Sequence, residues 1–104
     1  MFHTANQYSN YYTFMQDTKK HQIFKEAVGE VFRDIRKTKS GISLNKFALE
    51  YDLDKSNVSK TERGLINIYL ITAWKISEAH GIKFSDFAKM LEEKLGKDFT
   101  FIDE

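Results

Sequence analysis

Cysteine and proline are both missing from this chain of 104 residues, and it contains only five glycines and three histidines. Without cysteine there is no disulfide scaffold, no thiolate zinc site and no cysteine nucleophile. His3, His21 and His80 lie far apart, and none has a second histidine or a carboxylate at ligand spacing, so no metal and no other cofactor is expected. No residue pattern pairs a nucleophile with a base, and no glycine-rich phosphate loop occurs, which argues against an enzyme. No apolar run approaches the roughly 20 residues that cross a bilayer, and the opening residues lack the basic flank and apolar stretch of a signal peptide. The expectation is a cytoplasmic protein with no membrane partner. A core this small, divided in two, would leave neither half enough buried area to offset chain entropy, so a single domain is expected.

Charge of one sign is lacking as well: sixteen basic residues stand against fifteen acidic ones, a net charge of +1. Its distribution is uneven. Arg36, Lys37, Lys39, Lys46, Lys55, Lys60 and Arg63 face only Glu50, Asp52, Asp54 and Glu62 in the same stretch, whereas acidic residues outnumber basic ones after Gly64. The cationic character is concentrated mid-chain, a weak pointer to an anionic partner that a mixed solvated face would also give.

Gly41, Gly64, Gly81 and Gly96 recur at intervals that suit helix C-caps, and the apolar periodicity predicts five helices between and before them. From 18 to 39, Phe24, Val28, Val31, Phe32 and Ile35 form one buried stripe, with Gly29 inside it. Ser43 is placed to cap a short helix carrying Leu44, Phe47, Ala48 and Tyr51 inward. Asp52 can take up a left-handed turn conformation, and Asp54 can cap a third helix from Lys55 to about Glu62. That helix has only Val58 and Thr61 to bury. A fourth from about Tyr69 to His80 would turn Leu70, Ala73, Trp74 and Ser77 to the core, and a fifth from about Phe84 to Leu95 would turn in Phe84, Phe87, Ala88, Leu91 and Leu95. Residues 1–17, rich in Tyr8, Tyr11, Tyr12 and Phe14, read as a flexible N-terminal arm. Residues 97–104 alternate Phe99 and Phe101 with Asp98, Thr100 and Ile102; this tail is either frayed or a strand that pairs with its own copy in a dimer through Phe99, Phe101 and Ile102.

A capped helix, a tight turn and a second helix with a polar, basic outer face meet the steric demand of the DNA major groove. The groove is about 12 Å wide, admits one helix, and requires that helix's outer side to be free of the core. Ala48 permits a close crossing of the pair. Short amphipathic helices also pack this way in domains that never touch DNA.

The residues themselves resemble the Cro/cI-type (XRE-family) helix-turn-helix regulators of phage and bacteria from Phe24 to about Leu95. The resemblance is carried by Val28-Gly29-Glu30 with Ile35-Arg36-Lys37, by Ala48, by Val58-Ser59-Lys60 with Glu62-Arg63-Gly64, and by Asn67, Trp74-Lys75-Ile76 and Gly81-Ile82. It implies an all-α, compact, five-helix lambda-repressor-like domain over 18–96, acting on a palindromic double-stranded DNA operator as a homodimeric repressor or autoregulator. The family's base-reading positions fall on Lys55 and Ser56, with Lys60 a turn later and Ser59 beside it. Lysine suits the guanine O6 and N7 acceptors, and serine bonds several bases. Phosphate contacts are implied at Leu44, Asn45, Lys46, Asn57, Arg63 and Asn67, and a structural ion pair between Arg36 and Glu62.

Departures from the family pattern matter too. Leu44 stands where glutamine is usual and Asp52 where glycine is usual. One extra residue lies near Lys39 and Ser40, and Leu65, Ile66 and Ile68 occupy a loop that is commonly basic. They keep a second reading open, in which the fold serves as a protein-interaction module with Leu44, Leu65, Ile66 and Ile68 as its contact patch.

Overall fold

The computed structural model describes the backbone of residues 4–102 and the side chains of 19–39 and 41–102. Five α-helices follow one another: α1 (Thr4–Ile35), α2 (Leu44–Glu50), α3 (Lys55–Glu62), α4 (Leu70–Ala79) and α5 (Phe84–Leu95). Among the described residues no helix is long and apolar enough to cross a membrane.

Helix α1 is longer than its apolar stripe. Its backbone runs unbroken from Thr4 through the segment expected to be an arm. The side chains of Tyr8, Tyr11, Tyr12 and Phe14 lie outside the described residues. At the other end the helix widens into a single π-turn, Arg36–Ser40, closed by the Gly41 N–H donating to the Arg36 carbonyl at 2.9 Å. Each bond of a π-turn spans one residue more than that of an α-turn. The π-turn thereby takes up one residue more within the helix end than ordinary α-helical winding would.

The core gathers around α1. Val28, Val31, Phe32 and Ile35 meet Phe47 of α2, Val58 of α3, Ala73 and Ile76 of α4 and Phe87 of α5, all buried. Rings stack through it: Phe87 lies flat on Phe32 (centroids 4.2 Å apart, 6° between planes), and His80 lies flat on Phe47 (4.2 Å, 9°). His80 also stacks on Phe32, with centroids 6.5 Å apart. Parallel rings of this kind favour an offset stack, which holds three helices at fixed spacing.

Two expectations about packing are corrected, one at Tyr51, which lies beside Phe47 but is 43% exposed, and one in α4. Helix α4 turns Ala73, Ile76 and Ser77 to the core, and leaves Leu70 and Trp74 exposed. The inward arc at 73, 76, 77 and 80 wins because it brings Ile76 and the His80 ring against Phe32 and Phe47, whereas an arc through 70 and 74 would leave Ile76 in water. In the single chain residues 97–102 are not extended into a strand. Phe99 and Phe101 fold back on the same chain instead, with their rings 6.3 and 5.5 Å from that of Phe24, and Phe101 edge-on to His21 at 5.3 Å. A lone six-residue segment gains more from covering Phe24 than from an unpaired extended conformation.

Candidate nucleic-acid interface

The α2–turn–α3 unit is set by local chemistry at each joint. Ser43 Oγ accepts from the Lys46 N–H at 3.2 Å and caps α2; Asp54 Oδ1 accepts from the Asn57 N–H at 3.0 Å and caps α3. Between them Asp52 adopts a positive φ of 53°. That conformation lets the Leu53 N–H reach back to the Ala48 carbonyl (2.8 Å) and the Asp52 N–H to Leu49 (3.4 Å), the paired bonds of a Schellman cap. Aspartate tolerates left-handed backbone better than most residues, so it serves where glycine would. Leu53 then tucks partly under the core.

Helix α3 has two unlike sides. Val58, Thr61 and Glu62 are buried. Lys55, Ser56, Asn57 and Lys60 are exposed, Arg63 after them is exposed too, and Ser59 is half-buried. Residues at i, i+1, i+4 and i+5 share one helical face, so Lys55, Ser56, Ser59 and Lys60 form a single outward strip. Ser59 is engaged within the helix: its Oγ accepts from Arg63 Nε at 3.2 Å, folding Arg63 back along the strip. Asn45, Lys46 and Asn67 are exposed at neighbouring positions, while Leu44 is half-buried and packs against the core.

The inner side of α3 is fixed to α1 chiefly by two contacts, beside Arg33 Nη1 donating to the Glu62 carbonyl at 3.4 Å. Arg36 donates from Nε to Glu62 Oε2 at 2.8 Å and from Nη2 to Oε1 at 2.9 Å, a two-pronged pair, while its Nη1 donates to the Ile42 carbonyl at 2.8 Å. Exposures of 12% for Arg36 and 6% for Glu62 make this a desolvated bridge joining α1, the approach to α2 and the end of α3. The hydrogen bond to Glu62 raises the Arg36 pKa above its ordinary value. The second contact is backbone on backbone. A Cβ at Gly29 would stand 2.4 Å from the Thr61 carbonyl oxygen and 2.6 Å from that of Glu62, so only glycine lets α1 and α3 approach this closely.

The fold buries much of the protein-interaction patch offered by the sequence. Leu44 and Ile68 are half-buried and packed on the core, Ile66 is half-buried, and only Leu65 is exposed. What the sequence pattern did not single out is the outer side of α4, where Leu70, Ile71 and Trp74 are open to solvent. The signal was present in the composition of LITAWKISEA, too apolar for a helix with one covered side.

Comparison with known proteins accords with this geometry. Residues 32–87, just over half of the chain and spanning the end of α1 to the start of α5, match the helix-turn-helix family. The chain is similar to control protein C.BamHI of Bacillus amyloliquefaciens, with 41% identity over 58 residues, covering 56% of this chain and 72% of that protein. It is also similar to control protein C.MunI of a Mycoplasma species, with 33% identity over 66 residues, covering 64% of this chain and 89% of that one. With an exposed, capped α3 clamped from behind and a family match across the whole unit, the chain belongs to the XRE-type helix-turn-helix family of DNA-binding transcriptional regulators.

Proposed function

We propose that this chain is a homodimeric control protein that represses or tunes transcription from the promoter of its own operon, in the cytoplasm and without catalytic activity. The observation that carries the reading is the two-sided α3. Its inner face is bolted to α1 through Arg36–Glu62 and Gly29, while Lys55, Ser56 and Lys60 project unobstructed on the outer face. A rigid backing and a free polar front are what insertion into the major groove requires. In this reading Lys55, Ser56, Ser59 and Lys60 meet base edges. The backbone N–H groups at Leu44 and Asn45, helped by Lys46, Asn57, Arg63 and Asn67, hold phosphates and so set register and affinity, not sequence. Among repressors, antitoxins, restriction controllers and stand-alone regulators, the similarity to two control proteins favours the controller type.

A mobility-shift titration on a fragment from upstream of the chain's own gene tests this. Binding should be specific and should weaken steeply as salt rises, because phosphate contacts release counterions. Lys55→Ala with Lys60→Ala should remove the preference for operator over random DNA and leave the helical circular-dichroism spectrum unchanged. Normal operator preference in that double variant would refute the assignment of α3 as the reading element.

A further inference from the structure

Arg63, which closes α3, is held through its backbone and through its side chain. Its N–H donates to the Ser59 carbonyl at 3.1 Å, and the next two N–H groups, of Gly64 and Leu65, reach back to the Thr61 (3.1 Å) and Lys60 (2.9 Å) carbonyls. Gly64 in turn stands against α1: a Cβ there would lie 2.9 Å from Glu26 Cα, and Gln22 Nε2 donates to the Gly64 carbonyl at 3.3 Å. The Arg63 side chain is tethered at Nε, which donates to Ser59 Oγ at 3.2 Å and to the Ser59 carbonyl at 3.4 Å. A bond at Nε leaves the N–H groups of the two terminal nitrogens for another acceptor, and no carboxylate among the described residues pairs with them. Arg36 differs, giving both Nε and Nη2 to Glu62.

We infer that Ser59 is a positioning residue, whose hydroxyl orients the exposed Arg63 guanidinium so that its two terminal nitrogens form a flat clamp for one DNA phosphate. The inference rests on the reading of α3 proposed above and gives Ser59 its part there through a neighbour. Of the four residues on the outward strip, Ser59 is the half-buried one, and its oxygen already has a partner on the helix. The guanidinium fork matches two phosphate oxygens at once, which the point charge of a lysine does not. A free arginine side chain loses rotamer freedom when it grips a ligand, so a tether that restricts it beforehand removes part of that cost. Phosphate is the occupant because base edges are met by the N-terminal residues of a recognition helix, whereas Arg63 lies just past the C-terminal end of α3.

A double-mutant cycle in the full chain tests this. Ser59→Ala, Arg63→Ala, Arg63→Lys and the pairings of Ser59→Ala with each arginine variant would be titrated in mobility shifts against the operator fragment and against random duplex, at several salt concentrations. Circular dichroism would follow folding in each. Ser59→Ala is expected to lower affinity about three- to tenfold, the range for immobilising one long side chain, on operator and random duplex alike. It should add no further loss in either Arg63 background, and Arg63→Ala should reduce the salt slope by about one. Arg63→Lys keeps the charge but has no Nε–H to meet Ser59, so it should fall at least as far as Ser59→Ala; leaving Ser59 in place, it also keeps the test open if the alanine variant folds poorly. No loss with Ser59→Ala, additive losses in the cycle, or a loss confined to the operator overturns the positioning role and leaves α3 standing as the reading element. An unchanged salt slope in Arg63→Ala overturns the phosphate clamp. A wild type with no preference for its operator overturns the reading of α3 itself, and this inference with it.

Discussion

Arg36 and His80 are the two charged or titratable side chains on which the stability of the reading unit turns, and they work in opposite ways. Arg36 is held on three sides: Glu62 takes two of its five N–H donors and Ile42 a third. Arg36→Ala would strand a buried carboxylate, for which a loss of about 3–5 kcal/mol in urea unfolding is expected, whereas Arg36→Met with Glu62→Met should recover most of it, because the two desolvation costs vanish together. His80 is the converse, a ring 7% exposed whose two nitrogens have no hydrogen-bond partner among the described residues. Burial pushes its pKa down to about 4; Glu62 pulls it up, while Arg36 and Lys39 push it further down. Below the ordinary histidine value of about 6.5 the unfolded chain takes up a proton that the folded chain refuses, so this stabilisation is complete above that pH and is lost as the pH falls toward 4. The full loss is about 3 kcal/mol, and His80→Phe, which keeps the stack on Phe47, should flatten the stability profile between those limits relative to wild type. Equal slopes in the two proteins would show that His80 is not the group responsible.

At the scale of elements, the contact between α1 and α3 is governed by Gly29. Adding a methyl group there must push the α3 backbone away, since the atoms in the way are main-chain carbonyls and not flexible side-chain ends. Gly29→Ala should cost about 1–3 kcal/mol despite alanine's better helix propensity, and should weaken operator binding more than it lowers helix content. A variant as stable as wild type would mean that the two helices can separate without penalty. The same elements show what a single sequence discloses. Helix α3 was legible to the residue, because Asp54 marks its start and Gly64, left-handed at φ 70°, marks its stop. The stripe of α1 was equally legible, from Phe24 to Ile35. The inward arc of α4 was not: Leu70 and Trp74 have the same period as Ala73 and Ile76, and periodicity cannot choose between two apolar faces when both are apolar for different reasons. Nor could it reveal that Ile68 is half-buried, since that depends on where the loop after Gly64 settles against distant helices. Candidate reading residues were found because exposure on α3 follows from the small number of residues it can bury; Gly29 and the unpartnered ring of His80 depend on tertiary neighbours and carry no local mark.

For the whole molecule, dimerisation and recognition are one geometric problem. If two copies join rigidly in the homodimer proposed above, the two α3 helices are held at one fixed separation, and the operator should consist of half-sites about one helical turn, ~10 base pairs, apart. Inserting about half a turn of DNA between the half-sites would rotate the second one to the far face of the duplex, and affinity should fall to that of a single half-site in a titration at constant salt. Undiminished affinity on the lengthened operator would refute a rigid homodimer that reads two half-sites at once.

The widened end of α1 has a bearing on how this chain diverged in length. A loop that gains a residue can swing the element after it, whereas Arg36–Ser40 holds its residue in a local swelling of the helix end. Deleting Lys39 should let that segment relax to ordinary α-helical winding, with Ser43 still capping α2 and Arg36 still reaching Glu62, and the shortened protein should melt cooperatively and keep its operator. Sequences one residue apart at this joint can then be interchangeable in how they present the reading helix, and a gap opened there between relatives would mark a silent change of length.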